Sequence, residues 1–236
     1  MQPLDIGMTD LIECTIKRRL NRFVVEILVD DMPALAYINN TGRLQDYLHP
    51  DNTGLCVKNR HPMKTAYRLL AIREKHSAAL IDTQLQMKAF ERAVAMRMIP
   101  WLADYAILKR NIRLGGSIID YLLTNQESNV YLEVKSAVLR EGHYAMYPDC
   151  PTDRGRRHLR ELIQLGAGGG RAAILFIAAL PDIKAFKPNR AADPELADLL
   201  SAARKAGVWL RAIALVFQPE DSQIYLYHPD LPVELN

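Results

Sequence analysis

The chain of 236 residues contains few cysteines and no long apolar run. Cys14, Cys56 and Cys150 are odd in number and widely spaced, and none belongs to a Cys-x-x-Cys pair. This spacing supports neither a disulfide framework nor a zinc knuckle, and it favours a reducing compartment. No apolar stretch approaches the ~20 residues that span a bilayer, and the first residues lack the basic and apolar regions of a signal peptide. We therefore expect a soluble, cytoplasmic protein with no membrane contact.

A large excess of charge of one sign is also lacking. The 30 Lys and Arg residues nearly balance the 27 Asp and Glu residues, which leaves a formal net charge of +3. So mild a basic excess is compatible with a polyanionic partner, but many proteins that bind no polyanion share it. Hydrophobic residues at 49% and charged residues at 24% argue against a disordered or fibrous chain. The length suffices for one large domain or two modest ones.

Residues 10–82 are dominated by short β-rich runs that turn residues separate. The turns include Asn39-Asn40-Thr41-Gly42 and His61-Pro62. Five such strands are what a small Greek-key barrel such as the OB-fold requires, although a plain sheet has the same punctuation. The five runs are Leu11–Arg19, Phe23–Val29, Ala34–Ile38, Leu55–Lys58 and Ala66–Ile72.

From Thr83 onward the pattern changes to a helix, predicted over Thr83–Met98, which Pro100 stops. We therefore predict two domains, 1–82 and 83–236. In the second, strands alternate with helices, which favours an α/β layer architecture. The strands are predicted at Tyr105–Arg113, Ser117–Leu123, Asn129–Val138, Ala172–Ala179, Trp209–Phe217 and Ile224–Tyr227, and the helices at Asp153–Leu165 and Pro194–Ala206.

One predicted hairpin carries three charged residues that point to a common place. Glu133 and Lys135 project from the same face of an otherwise apolar strand, because strand side chains alternate between faces. If Gln126-Glu127 is the tip of the hairpin, Asp120 lies opposite Glu133, with the two Cβ atoms roughly 4.5 to 5.5 Å apart. The two carboxylates then converge beside the Lys135 amine.

Two carboxylates this close repel each other, and a partly buried sheet tolerates them only with a proton or a hard cation between them. Mg²⁺, or Mn²⁺ in its place, prefers oxygen ligands and is held by one or two carboxylates plus substrate phosphate. We predict a catalytic site in which Asp120 and Glu133 bind the metal and Lys135 orients water or neutralises transition-state charge. The alternative is a surface hairpin with an ordinary Glu–Lys pair.

Two groups of basic residues suit the binding of nucleic-acid phosphates. One lies on the helix that follows Thr152, a good N-cap, and the other lies at the end of the first β-rich run and just after it, near several aromatic rings. The first group is Arg154, Arg156, Arg157 and His158, and the second is Lys17, Arg18, Arg19 and Arg22 with Phe23, Tyr37 and Tyr47. We predict DNA contacts for both groups. The alternatives are solvated surface charge, core aromatics and a histidine satisfied within its helix.

The segment Tyr147–Leu162 closely resembles the signature FPDA-x-T-x-RG-x-x-HL-x-EL of the sugar fermentation stimulation protein A family. The Asn40-Thr41-Gly42 turn and the ending Leu231–Leu235 are also similar to that family. The resemblance implies an α+β fold, with an N-terminal OB-like β-barrel followed by an α/β PD-(D/E)xK nuclease-like domain with a mixed central sheet. It also implies DNA binding linked to the regulation of sugar catabolism.

One departure from the family pattern bears on catalysis. The first nuclease helix of the family has Asn and Glu where this chain has Met87 and Arg92, and a Glu stands one place early, at Glu91. One residue rotates a helix position by about 100°, so whether Glu91 joins the metal site stays open. Two functions therefore remain, a Mg²⁺-dependent DNA nuclease and a catalytically inactive DNA-binding regulator. The oligomeric state is also open.

Overall fold

The computed structural model describes residues 2–6, 10–60 and 64–235. The helices are α1 (Thr83–Ala95), α2 (Asp153–Ala167) and α3 (Pro194–Lys205), and a 3-10 helix spans Pro100–Leu102. The strands are β1 (Gln2–Leu4), β2 (Ile12–Asn21), β3 (Val24–Val29), β4 (Met32–Tyr37), β5 (Thr53–Lys58), β6 (Tyr67–Glu74), β7 (Ser77–Leu80), β8 (Ala106–Leu114), β9 (Ser117–Thr124), β10 (Asn129–Ser136), β11 (Leu139–Glu141), β12 (Tyr144–Tyr147), β13 (Ala172–Ala178), β14 (Ala185–Pro188), β15 (Trp209–Gln218) and β16 (Gln223–Leu231). No helix in the described ranges is both long and apolar enough to cross a membrane. The break predicted at His61-Pro62 lies outside the described residues.

The chain forms two compact units, each assembled from more than one segment. The first unit consists of Met1–Phe90, Ala179–Asp182 and Leu215–Tyr227. The second consists of Glu91–Ala178, Ile183–Ala214 and His228–Asn236. The predicted domain division between residues 82 and 83 stays a prediction.

A closed five-stranded barrel forms the core of the first unit. Strand β2 pairs with β3 and β5, β3 pairs with β4, and β5 pairs with β6. A short parallel contact between β4 and β6, Ala36 with Tyr67 and Tyr37 with Arg68, closes the ring. Alternate residues of β3 are buried, as a barrel strand requires. The OB-like barrel is therefore confirmed, and the plain sheet that the same turn pattern allows is excluded.

A mixed sheet forms the centre of the second unit. Strands β8, β9 and β10 are antiparallel, whereas β10, β13 and the first part of β15 are parallel. Every residue of β13 is buried, which is typical of an inner strand of a parallel sheet that is covered on both faces. The predicted α+β class and the mixed sheet are thus confirmed.

The strands that the sequence did not predict are all short. Strands β1, β7, β11, β12 and β14 have three or four residues each, too few for an alternating pattern to be recognised. In the second unit, β11, β12 and β14 form a small separate sheet. Residues 232–234 are held there, because Phe186 N–H donates to the carbonyl of Pro232 and the Phe186 carbonyl accepts from Glu234 N–H.

Asp82 and Asn39, the residue that precedes the Asn-Thr-Gly turn of the first unit, have a structural role at the start of α1. Asp82 is 1% exposed, and its carboxylate accepts hydrogen bonds from Leu85 N–H at 2.9 Å, Asn39 Nδ2 at 2.9 Å and the Arg68 guanidinium at 2.5 and 2.7 Å. Asn39 Oδ1 accepts from Thr83 N–H at 2.8 Å. Asp82 and Asn39 therefore cap the first turn of α1, where backbone N–H groups have no partner within the helix.

We expect Asp82→Ala to lower the free energy of unfolding by about 3 kcal/mol, because it removes a helix cap and leaves Arg68 without its buried partner. Urea unfolding followed by circular dichroism measures this loss. Asp153→Ala is the matched control, since Asp153 also lies at a helix start but its side chain is 94% exposed. The control should cost less than about 1 kcal/mol. Equal losses in the two variants would contradict a capping role for Asp82.

Candidate active site

The hairpin of β9 and β10 has the predicted register. Thr124 pairs with Asn129, and Tyr121 with Leu132, so the tip lies at Gln126-Glu127 as expected. Asn125 shapes this tip, because its Oδ1 accepts from the N–H groups of Glu127 and Ser128. Asp120 and Glu133 therefore lie on the same face of the sheet, opposite to the face of Tyr121 and Leu132.

Asp120 lies where the ladder between β9 and β10 ends. The last backbone pair is Tyr121 with Leu132, and the N–H of Val134, two residues further along β10, donates to Asp120 Oδ2 at 2.8 Å. A side-chain oxygen thus takes the place of a backbone carbonyl, which keeps this N–H satisfied. The bond holds the Asp120 carboxylate against the backbone one residue after Glu133.

Glu133 is a buried carboxylate with hydrogen bonds from the described residues at one oxygen and none at the other. The residue is 2% exposed, and its Oε1 accepts from Lys135 Nζ at 2.6 Å and from His158 Nδ1 at 2.5 Å. Oε2 is buried and has no hydrogen-bond partner among the described residues. Because burial disfavours a charge, an oxygen left in this state needs another positive or donor group.

The charges of the site are strongly coupled. Burial acts to raise the pKa of Glu133, but Lys135 and His158 outweigh it and hold this pKa below its usual value. Burial acts to lower the pKa of Lys135, and the Glu133 carboxylate outweighs it and raises this pKa. Burial and the neighbouring Glu133 raise the pKa of Asp120 from 3.8 to about 6, against the opposing effect of the Val134 N–H. At neutral pH the two carboxylates are therefore both ionised and repel each other.

The donor set fits a hard divalent cation that keeps other ligands. Among the described residues, no group of three or more His, Cys, Asp or Glu side chains is arranged to hold a metal. The set here is smaller, Asp120 with the unpartnered Oε2 of Glu133. Two carboxylates suffice for Mg²⁺, which usually completes its shell with water and substrate phosphate. The assignment of Asp120, Glu133 and Lys135 as catalytic and metal-binding residues stays a prediction.

Glu91 lies away from these carboxylates. Its Oε1 accepts from Tyr121 Oη at 2.7 Å, and its Oε2 accepts from Arg110 at 2.5 Å. Tyr121 points to the face of β9 opposite to Asp120. Glu91, which is bonded to Tyr121, therefore lies on the face opposite to the one where Asp120 and Glu133 would share a metal ion. Burial and the Glu91 carboxylate raise the pKa of Tyr121, which keeps this phenol a hydrogen-bond donor.

Helix α2 brings His158 to the site and not to the surface. Thr152 caps the helix, because its side chain accepts from Gly155 N–H. His158 is 2% exposed and bonds to Glu133, and Leu159 and Leu162 of the same helix are buried too. The helical spacing of Gly155, His158, Leu159 and Leu162 is the signal that could have predicted this burial, because these residues share one face. The structure thus favours a role for His158 in holding Glu133 over the predicted DNA contact.

The arginines of α2 differ in their exposure and in the number of carboxylates that they contact. Arg156 contacts the carboxylates of Asp153 at 2.5 Å, Asp193 at 3.0 Å and Glu195 at 3.4 Å. It therefore joins the starts of α2 and α3, a structural role that competes with the predicted DNA contact. Arg157 is exposed and has no ion pair with any residue that the structure describes. Arg154 is also exposed, and its Nε donates to His158 Nε2 at 3.5 Å.

The basic residues predicted in the barrel are similarly divided. Arg19 donates to the carbonyls of Asn21 and Arg22, and to Gly42 and Arg43 in the Asn-Thr-Gly loop, so it holds that loop. Lys17 faces Asp51 at 3.8 Å, and Arg18 pairs with Glu26 at 2.7 Å.

The exposed end of this group suits a nucleic acid better. Arg22 is exposed, and its side chain has no partner in the described ranges. Phe23, which is 44% exposed, stacks on Tyr37 with ring centroids 6.5 Å apart. Tyr47 is 5% exposed and belongs to the core. Arg22, Phe23 and Tyr37 thus keep the predicted role open, whereas Tyr47 follows the alternative of a core aromatic.

Known proteins match the chain over both halves. Residues 18–81 match the family model of the SfsA N-terminal OB domain, and residues 84–221 match that of the Sugar fermentation stimulation protein RE domain. A sugar fermentation stimulation protein homolog of Pyrococcus furiosus is 44% identical over 228 residues, 97% of this chain and 98% of that protein. The chain belongs to the sugar fermentation stimulation protein family. A homolog of Archaeoglobus fulgidus is 46% identical over 222 residues, 94% of this chain and 95% of that protein.

A solved structure of a family member agrees closely with this one. It is that of Pyrococcus furiosus SfsA in complex with Ca²⁺, with a TM-score of 0.94 and 42% identity. The match covers 99% of this chain and 100% of that chain. The family signature over Tyr147–Leu162 thus falls on β12, on the start of α2 and on the buried His158.

We expect Asp120→Asn to stabilise the metal-free protein above pH 6 by about 1 to 3 kcal/mol, because the change removes a carboxylate whose pKa is raised. In the wild type this carboxylate favours the folded state fully below the unfolded pKa of 3.8, and that contribution is lost as the pH rises through about 6. The advantage of the variant should therefore disappear as the pH falls from 6 towards 4. Thermal unfolding in EDTA from pH 4 to 8 measures it.

The exposed Asp104→Asn is the matched control, since it removes a carboxylate from the surface of the same unit. Its unfolding curve should follow that of the wild type at every pH. If Asp120→Asn behaves like this control, neither burial nor Glu133 perturbs Asp120.

Proposed function

We propose that this family member binds DNA without sequence preference and hydrolyses phosphodiester bonds with Mg²⁺ or Mn²⁺ held by Asp120 and Glu133. The observation that carries the proposal is the buried Oε2 of Glu133, which has no partner in the described residues and shares a sheet face with Asp120. A divalent cation would satisfy this oxygen and remove the repulsion by Glu133 that, after burial, raises the pKa of Asp120. The Ca²⁺ bound by the Pyrococcus furiosus relative supports a divalent cation site in the family.

The chain's own residues supply the remaining groups for the reaction. A bound cation would stabilise the charge that develops on the phosphate and lower the pKa of a water molecule. Lys135 Nζ is tied to Glu133 Oε1, and its side chain is 13% exposed. An ammonium group has three N–H donors, so those not directed at Glu133 are available to orient water or a phosphate oxygen. His158, bonded to the same Oε1, holds the Glu133 carboxylate in one orientation.

A second function, DNA binding without catalysis, has its own support. Glu91 is engaged by Arg110 and Tyr121 on the other face of the sheet, so no third carboxylate from the described residues joins Asp120 and Glu133. Without substrate, a site with two carboxylates binds a cation more weakly than a site with three, because it supplies fewer charged ligands. The family member would then be a regulator of sugar catabolism that keeps the site's shape.

We expect Mn²⁺ to bind weakly to the free wild-type protein and more tightly when DNA phosphate is present. Asp120→Asn and Glu133→Gln should each lower the Mn²⁺ affinity by at least tenfold, because each removes one charged ligand. Lys135→Ala should keep the metal and, if the protein cleaves DNA, lose the cleavage. Water-proton relaxation titration with Mn²⁺ measures binding, and labelled single-stranded, duplex and branched DNA with and without Mg²⁺ or Mn²⁺ measures cleavage.

Glu91→Gln is the matched control, because it removes a nearby carboxylate that is bonded on the opposite face. It should bind Mn²⁺ as the wild type does. Equal Mn²⁺ affinity of the wild type and Asp120→Asn would refute the metal site. Metal binding and DNA binding without any cleavage would favour the regulator.

We expect Arg154→Glu with Arg157→Glu to weaken binding to random-sequence DNA by at least tenfold, because both residues are exposed cations next to the site. The melting temperature should change by less than about 3 °C, since exposed charges contribute little to stability. Arg156→Glu should instead lower the melting temperature clearly, because Arg156 contacts three carboxylates. Fluorescence anisotropy and thermal unfolding measure the two effects. Unchanged DNA affinity in the double variant would contradict a DNA contact by α2.

A further inference from the structure

The candidate site is closed on one side and open on the other. Toward the helices it ends in a cavity of about 10 Å³ bordered by Lys135, Tyr147 and Leu200. A cavity of this size holds about one water molecule. On the other side, exposure rises from Glu133 at 2%, through the half-buried Asp120, to Ile118 at 43%. The open approach to Asp120 is therefore the one over β9 and its neighbour β8.

Two cations of β8 lie on the same face of the sheet as Asp120. Across the antiparallel ladder, Lys109 pairs with Leu122 and Arg113 pairs with Ile118. Residues directly opposite each other share a face, and so do residues two apart on a strand. The side chains of Lys109 and Arg113 therefore flank the open approach to Asp120.

These two cations are free, whereas the arginine between them is not. Lys109 and Arg113 are exposed and form no ion pair or side-chain hydrogen bond with residues 2–6, 10–60 or 64–235. Arg110 pairs with Tyr121 across the ladder, lies on the opposite face and bonds to Glu91. The strand thus uses one cation to hold α1 and leaves two exposed beside the site.

Asn111 adds a polar group at the centre of this row. It lies between Arg110 and Ile112, which pair with Tyr121 and Ile119, the two chain neighbours of Asp120. Its φ is +52°, in the left-handed region that asparagine tolerates better than most residues. The side chain is exposed, and its amide has two N–H donors, which suit a phosphate oxygen.

We propose that Lys109, Asn111 and Arg113, here called the β8 row, bind the phosphates of the DNA strand that passes Asp120. The inference rests on the proposed function, because it assumes that DNA is the ligand. Lys109 and Arg113 are four residues apart, roughly 13 Å along a regular strand. Phosphates follow each other at about 3.4 Å along the axis of a duplex strand, so the two cations contact different phosphates.

The test measures how DNA affinity depends on salt for the Lys109→Gln, Arg113→Gln double variant. Random-sequence duplex and single-stranded DNA are titrated in EDTA, so that the metal site does not contribute. Loss of two phosphate contacts should reduce the slope of log affinity against log salt by about 1.8 for the duplex or about 1.4 for the single strand. The Lys109→Arg, Arg113→Lys variant keeps both charges and should retain the wild-type slope.

Lys184→Gln with Lys205→Gln is the matched control, because it removes the same charge from exposed positions of the same unit. Its slope should equal that of the wild type. Lys109 and Arg113 have an alternative role, because β8 is an edge strand and cations on an edge strand discourage its pairing with another sheet edge. An unchanged slope in the β8 double variant, with or without new aggregation, would overturn the β8 row while leaving the proposed function standing. A wild type that binds no DNA at all would overturn the proposed function itself.

Discussion

The buried carboxylate of Glu133 links the central sheet of the second unit to helix α2. Burying an ionised carboxylate is costly unless cations and donors surround it. Lys135 meets it from the same strand, and His158 meets it from α2, both at Oε1. Helix α2 is thereby held against β10 by a polar contact as well as by its apolar face. The second oxygen is left without a partner among the described residues, and the proposed metal site rests on this oxygen.

The same electrostatic requirement divides the basic residues into two kinds. Arg19, Arg68 and Arg156 are directed at carbonyls or carboxylates of their own unit, where they hold a loop or the start of a helix. Arg157 and Arg22 have exposed side chains without such partners in the described residues. Only cations of the second kind can exchange water and counterions for DNA phosphate without breaking a native contact. A basic cluster in the sequence therefore overstates the surface that is available to a nucleic acid.

Capping side chains determine where the three helices begin. Asn39 and Asp82 cap α1, and Thr152 caps α2 while its own N–H donates to Asp193 at 3.0 Å. Asp193 in turn caps α3 and receives Arg156. These bonds satisfy backbone groups that a helix cannot satisfy internally. They fix where α2 begins, and thereby which of its residues reaches Glu133.

The sequence by itself determined the features that depend on neighbouring residues. The β9–β10 register followed from turn length and alternation, because a hairpin's register is set by its turn. The start of α2 after Thr152 followed from capping chemistry. Likewise, the five barrel strands followed from alternation and breakers, with ends that differ by a few residues.

Tertiary structure decided the rest. The barrel closes only because β4 meets β6, strands that are far apart along the chain. His158 is buried because Glu133, 25 residues earlier, offers it an acceptor. Glu91 is separated from Asp120 because α1 packs on the other face of the sheet, where Tyr121 and Arg110 bond to it. Each of these outcomes depends on contacts between distant segments, which neither periodicity nor local propensity encodes.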